Sequence, residues 1–389
     1  MIEVAVVGAG QTSYGDYPDL TIKELFSQAV GEAFASVDKG IEPSQIGCAF
    51  IGTLGSGGFQ LGQSGVLIAE YAGLRGVPVT RVENACASGG FALYSGALAV
   101  MSGLYDVVLV GGVEKMRDVS NTKNKYWLGV SGDTEYERLA GLTFAGIYAV
   151  MANRYLHDYR VDKKYLSMVA VKNHRHGSMN PKAHLRRAIT LDEALAGAPV
   201  AKPLNMYDCC PTSDGAAVVI LARGDIAREF TDSPVYIRGF GSGADALAIH
   251  DRPSITGLRA VQDAARQAYD MAGVTPGDID FAEVHDCFTI AEVMACEDLG
   301  FALKGRTCEL LDEGATSLGG RIPVNVSGGL KSKGHPLGAT GVGQAYEVFN
   351  QLRGKVETSE RLVKNARLGL SHNVGGSGGT ATVFIYERR

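Results

Sequence analysis

The chain has 389 residues, 46% hydrophobic and 20% charged, with a net charge of −5. That composition is globular, too long for one small core, and without a basic run it argues against nucleic-acid binding. No stretch reaches about 18 uninterrupted apolar residues, so no membrane span is expected. The seven cysteines include no CxxC pair, which argues for reduced thiols, a cytoplasmic setting and no metal site.

The first element, "MIEVAVVGAGQT", is a buried-strand pattern without a basic leader or a small-residue cleavage site, so no signal peptide is expected. Next, "LFSQAVGEAFASVDKGIEPSQIGCAFIG" predicts an alanine-rich helix, a Gly-Ile-x-Pro turn and an apolar strand. Much later "AVQDAARQAYDMAGVTPGDIDFAEVHD" repeats it, with Gly40, Pro43 and Ile46 answered at one offset by Gly273, Pro276 and Ile279. Each glycine is expected to cap its helix. "RVENACASGGFALYSGALAVMSG" and "IPVNVSGGLKSKGHPLGATGVGQAYEVFNQL" both run from a short strand into a small-residue helix. "YDVVLVGGVEK" and "ARLGLSHNVGGSGGTATVFIYE" supply later strands.

These pairs predict two α/β halves, 1–230 and 231–389, related by internal duplication. The extra material lies at 115–210, a polar excursion expected to cover a site. Helices rich in Ala, Gly and Ser can approach sheets closely, which predicts a layered α/β/α/β/α body.

Three places carry chemistry. Cys86 follows "VPVTRVEN" and precedes a helix, where the dipole and free N–H groups stabilise a thiolate. In isolation a buried structural cysteine is the commoner case; downstream glycines and the polar Glu83 and Asn84 weigh against it. His335 sits between glycine and proline in the matching slot of the second half, so symmetry would bring the two helix starts together. A cysteine and a histidine meeting there make a nucleophile and its base. Third, the strand "IDFAEV" ends in His285, Asp286 and Cys287, at the carboxyl end where α/β sheets place ligands. The chain closes on a fourth feature, Gly375, Gly376, Gly378 and Gly379 behind His372 and Asn373, where backbone must turn tightly or approach something closely.

In this order the motifs resemble the thiolase superfamily along essentially the whole chain. "ENACASGG" resembles the nucleophile motif, "KSKGHPLGATG" the GHPxGxxG motif, and "NVGGSGG" the C-terminal glycine motif. "HDCF" resembles the form found in sterol-carrier-protein-type thiolases and archaeal-type acetyl-CoA acetyltransferases. Ketoacyl-ACP synthase III and 3-hydroxy-3-methylglutaryl-CoA synthase share the fold and a Cys–His pair but not this combination. In many thiolases a second catalytic cysteine begins the C-terminal motif. Here Asn373 stands at that position, and asparagine moves no proton near neutral pH. The resemblance then implies Cys287 as the second thiol; Cys209 and Cys210, the rivals, are read as structural.

The resemblance implies a thiolase fold and a ping-pong reaction. His335 would deprotonate Cys86, which takes the acyl group; Cys287 would move the α-proton of a second acetyl-CoA. Oxyanions would be held by the N–H groups of Cys86 and Gly375 and by His285 and His335. Acetoacetyl-CoA is the simplest product, feeding mevalonate synthesis; degradation of longer or branched 3-ketoacyl-CoA, and a thiolase-like subunit dependent on a partner, are the alternatives. Substrates are CoA thioesters, with no bound cofactor and no metal. Implied partners are further copies in a homodimer or homotetramer, and a zinc-binding OB-fold protein with 3-hydroxy-3-methylglutaryl-CoA synthase. For the phosphorylated end of CoA the excursion offers Lys172, His174, Arg175, His176, Lys182, Arg186 and Arg187, each as readily a solvated basic face; Ser242 and Gly243 are candidates for pantetheine.

Overall fold

The structure, a computed structural model, describes residues 2–58 and 60–389. The first half runs β1 (Val4–Gln11), α1 (Ile22–Ala35), β2 (Cys48–Gly52), α2 (Ser64–Tyr71), β3 (Val79–Val82), α3 (Ser88–Met101) and β4 (Val107–Glu114). Then come α4 (Asn121–Gly129), α5 (Phe144–Tyr159), α6 (Lys164–Ser178), α7 (Leu191–Leu195), the small pair β5 (Pro199–Ala201) and β6 (Leu204–Asn205), β7 (Gly215–Arg223) and α8 (Ala227–Phe230). The second half runs β8 (Val235–Ala244), α9 (Arg259–Ala272), β9 (Phe281–Glu283), α10 (Thr289–Asp298), α11 (Thr307–Asp312), α12 (Gly329–Lys333), α13 (Leu337–Arg353), β10 (Leu368–Gly375) and β11 (Thr380–Arg388).

The strand order sets two runs side by side. Strands β3-β2-β4-β7-β1 and β8-β11-β10-β9 form one nine-stranded sheet, joined where Val4, Ala5 and Val6 of β1 pair with Ile237, Tyr236 and Val235 of β8. The slot of β3 is taken in the second half by a single bridge, Ala282 to Val324. The repeated turn differs at one point. Gly273 caps α9 in the left-handed conformation, whereas α1 is capped by Ser36, and Gly40 turns the chain four residues later at φ 82.

Alternation along the strands builds the layers. Val108 and Val110 of β4 face a central core with Ala92, Leu93, Ala339 and Val342, which Phe384 and Tyr386 of β11 reach from the other side. Val107 and Leu109 face outward onto Leu25, Phe26 and Ala29 of α1. Val383 and Ile385 face outward onto Ala260, Ala264 and Ala268 of α9. Period-two strands thus bury both faces, with α3 and α13 between the layers. The two central helices cross through glycine: a Cβ on Gly89 would lie 2.6 Å from the Gly338 carbonyl oxygen, and one on Gly341 2.3 Å from the Gly90 nitrogen. Any larger side chain would part the helix starts that carry the site.

Candidate active site

Cys86 sits in the turn before α3. Ala85 adopts φ 50, a conformation costing a non-glycine residue about 1–2 kcal/mol. Ser88 holds the turn by accepting from the Asn84 N–H at 3.0 Å and donating to the Ala85 carbonyl at 2.6 Å. The half-buried thiol packs with Leu54, Met116, Leu128 and Leu337. Burial pushes Cys86 up to about 12, against the opposing pull of the Gly376 and Cys86 N–H groups. The expected helix-end thiolate is therefore a thiol at rest, because desolvation outweighs the amides that face it. Of the terminal glycines, Gly376, turning at φ 59, directs its amide toward the sulfur; Gly375, one residue earlier, is strand-paired with Thr380.

His335, two residues before α13, lies across from Cys86. A ring nitrogen of His335, one of His285 and the Cys86 sulfur all lie within 4.8 Å of one another, and the two rings meet edge to face at 5.1 Å. The starts of α3 and α13 thus come together. His335 Nδ1 lies 2.7 Å from Thr340 Oγ1, whose hydroxyl is donated to the Pro336 carbonyl. Thr340 must therefore accept, the His335 proton sits on Nδ1, and Nε2 is bare. Burial holds His335 down to about 3, so this bare nitrogen is a base at neutral pH.

His285 is the opposite tautomer. Its Nδ1 lies 3.0 Å from Asn373 Nδ2 and must accept, which leaves the proton on Nε2. That nitrogen is buried with no partner, as is His335 Nε2. A bound metal ion would need a lone pair on both, and His285 presents a hydrogen. The Cys86–His285–His335 cluster does not fit a metal.

Cys287, two residues on, lies among Tyr148, Phe288 and Ile290. Burial first, then the thiols of Cys210 and Cys86, push it well above its ordinary value, while the Tyr148 hydroxyl favours its thiolate. In the resting site Tyr148, from α5, gives its one hydroxyl hydrogen to the Gly376 carbonyl at 3.1 Å and stacks on Phe288 at 4.6 Å. An aromatic in the excursion gave no sequence signal for this position.

The HDCF segment is fixed by a buried polar network that the motifs did not announce. Asp286 accepts from the Leu330 and Lys331 N–H groups at 2.6 and 3.1 Å. Asn173 of α6 bridges Asp286 and Glu292, 2.7 Å from each, and Lys172 pairs with Glu292 at 3.0 Å. Asp286 is hydrogen-bonded through both oxygens, while Glu292 Oε1 has the Lys172 ion pair and no hydrogen bond.

Beside Cys86 opens a cavity of about 640 Å³ lined in part by Met116, Leu128, Phe288, Lys331, His335 and Leu337. The excursion also contributes Thr143, Phe144, His174, Cys209 and Cys210. Reading these two cysteines as structural misses that both face the cavity.

The expected CoA contacts divide sharply. His174 lines the cavity, with Nδ1 on the Arg187 carbonyl at 2.9 Å and Nε2 unpartnered. Lys182 is drawn instead to Glu32 at 2.6 Å. His176 is buried, bonded to the Asn325 carbonyl and the Leu318 N–H, and Lys172 belongs to the network above. Arg175 and Arg186 are exposed away from the cavity, and Arg187 pairs with Glu193 at 2.9 Å. Ser242 lies in β8 opposite Thr382, and a Cβ on Gly243 would meet the Ala260 carbonyl of α9 at 2.1 Å. Both serve sheet and helix packing, and neither lines the cavity.

Comparison with known proteins agrees with this geometry. A family model described as "Thiolase, N-terminal domain" matches residues 4–225, and one described as "Thiolase C-terminal domain-like" matches residues 241–388. The chain is 45% identical to an acetyl-CoA acetyltransferase of Methanothermobacter thermautotrophicus over 100% of both chains. It is 35% identical to sterol carrier protein 2 of Gallus gallus, over 98% of this chain and 71% of that one. Among solved structures, an Ltp2–ChsH2(DUF35) aldolase matches with a TM-score of 0.86 at 24% identity, covering 99% and 98% of the chains.

Proposed function

Because the chain belongs to the thiolase family, we propose that it is an acetyl-CoA C-acetyltransferase that joins two acetyl-CoA into acetoacetyl-CoA through an acyl-enzyme on Cys86. The observation that carries this reading is the meeting of the Cys86 sulfur with a ring nitrogen of His335 and one of His285 within 4.8 Å, in a site where the Nε2 atoms of both rings have no protein partner.

The proton inventory closes around these groups. His335 Nε2 takes the Cys86 proton, and the thiolate attacks the thioester carbonyl. The N–H groups of Cys86 and Gly376, the amide that faces the sulfur, hold the developing oxyanion. The departing CoA thiolate takes the proton of Cys287, which is left as a thiolate beside the Tyr148 hydroxyl. A second acetyl-CoA enters and loses its α-proton to Cys287. Its enolate oxygen rests on the Nε2–H of His285 and on His335, still carrying the first proton. The enolate attacks acetyl-Cys86, and the expelled thiolate recovers that proton from His335. One CoA and one acetoacetyl-CoA leave, and both cysteines are thiols again.

The reading extends to a catalytic body of two duplicated halves, 1–230 and 231–389, assembled as a homodimer or homotetramer. Its product would supply mevalonate synthesis. The DUF35 protein named with the aldolase supports a further partner of that kind, alongside 3-hydroxy-3-methylglutaryl-CoA synthase. The test incubates purified protein with acetyl-CoA and maps the mass gain, then runs a series of acyl-chain lengths in both directions. An acetyl group on Cys86 and preference for the two-carbon unit are expected. Acetylation elsewhere, or preference for long chains, overturns the proposal.

A further inference from the structure

Asn373 occupies the place where many thiolases carry a second catalytic cysteine, and its contacts assign it a different task. Its Oδ1 accepts from the Gly90 N–H at 3.1 Å, and its Nδ2 donates to the Cys86 carbonyl at 3.0 Å. These two backbone groups have opposite polarity, so they fix which way the amide points. Flipping it would set oxygen against oxygen at Cys86 and nitrogen against nitrogen at Gly90. The remaining Nδ2 hydrogen then faces His285 Nδ1, 3.0 Å away. We infer that Asn373 is a positioning residue that locks His285 in its Nε2–H tautomer and so makes it a permanent hydrogen-bond donor to the oxyanion of the condensation step.

The lock is needed because nothing else on His285 sets the tautomer. Its Nε2 has no protein partner, and an imidazole with free choice would present a bare nitrogen part of the time. A bare nitrogen repels an enolate oxygen; an N–H holds it. Protonation offers no alternative, because burial and the facing rings of His335 and His372 keep His285 neutral. The titratable groups facing it are those two histidines and the Cys86 thiol. His372 accepts from the His285 backbone N–H at 3.3 Å, so it fixes the main chain and leaves the ring to Asn373. A cysteine at position 373 could not hold two backbone groups and a ring nitrogen together. The substitution therefore exchanges a proton carrier for a device that orients one.

This inference rests on the proposed condensation, and the experiment separates the two. In wild-type protein labelled with ¹⁵N-histidine, the His285 nitrogens should report a protonated Nε2 and a bare Nδ1. Asn373→Asp keeps the acceptor for Gly90, gives up the donor to the Cys86 carbonyl, and reverses the demand on His285, drawing its proton to Nδ1. That variant should still acetylate Cys86, while condensation above pH 8 falls about 10²-fold, the loss typical of one oxyanion donor. The new carboxylate also raises the His285 pKa, so lowering the pH adds a second proton, returns the Nε2–H, and narrows the gap to wild type. A merely structural role would give a ratio independent of pH. The inference is overturned by a protonated Nδ1 in the wild type, by acetylation lost equally at every pH, or by a constant condensation ratio. Absence of acetyl-Cys86 in the wild type would instead sink the proposed activity and leave the tautomer measurement standing.

Discussion

The two central helices begin at the same place in the fold, and each has its first amides met by a polar residue from the opposite half. At the start of α13, Glu114 of β4 accepts from Gly338 at 3.0 Å and from Leu54, Gly55 and Ser56 at 2.9 Å each. At the start of α3, Asn373 of β10 accepts from Gly90. Both oxygens answer the unpaired N–H groups of a helix start. The carboxylate can only accept, so its whole capacity goes into joining the 53–56 loop to α13. The amide accepts with one atom and donates with the other, and the donating end reaches His285. The scaffold thus provides one structural junction and one junction that also prepares a catalytic donor.

The largest effect expected concerns the nucleophile. Cys86→Ser should lower turnover by about 10⁴-fold or more and abolish the acetyl mass gain, while the melting temperature stays near wild type. A serine enzyme with substantial turnover would move the chemistry off the α3 start. Glu114→Ala should cost about 3–5 kcal/mol of stability, since it strips the buried Leu54, Ser56 and Gly338 N–H groups of their acceptor at once. Urea unfolding measures this, and a loss under about 1 kcal/mol would mean that the α13 junction is not held from β4. Cys287→Ser should acetylate Cys86 normally yet condense about 10²–10³-fold more slowly; condensation at the wild-type rate would remove Cys287 from the α-proton transfer.

Acid should weaken both junctions together. His335 and His372 are held neutral by burial down to about 3, as is His176. In the unfolded chain each regains a pKa near 6.5 and binds a proton that the folded state refuses. Their contribution is complete above about pH 6.5, and each loses roughly 1.4 kcal/mol per pH unit below it, down to the folded value. Unfolding midpoints at pH 7.5 and 5.5 should show that decline, and a flat profile would place these rings in contact with water. The smallest change is expected at Arg175, exposed on the far side of α6 from the cavity. Arg175→Ala should leave the KM for acetyl-CoA within about twofold, whereas a large rise would bring the excursion's basic face back into CoA binding.

Local patterning carried much of this in advance. The strand and helix periods, the Gly-x-x-Pro turns and the small-residue helices foretold an α/β body, because each follows from local physics within one turn or strand. That Cys86, His335, His285 and Cys287 sit near strand ends and helix starts was legible for the same reason. What failed was set by distance in the chain. The basic cluster at 172–187 reads as one surface, yet folding sends Lys172 into a buried network, Lys182 to Glu32 and His174 alone to the cavity. Cys209 and Cys210 reach that cavity through a bridge between Cys209 and Phe288, and Tyr148 reaches Cys287 from a separate helix. Asn373 shows the division within one residue. That it replaces a cysteine could be read from its motif, so the vacancy belonged to the sequence. That it fixes a proton on His285 required Gly90, Cys86 and His285 in one place, which only tertiary packing supplies, since a hydrogen bond depends on distance and direction rather than on order along the chain.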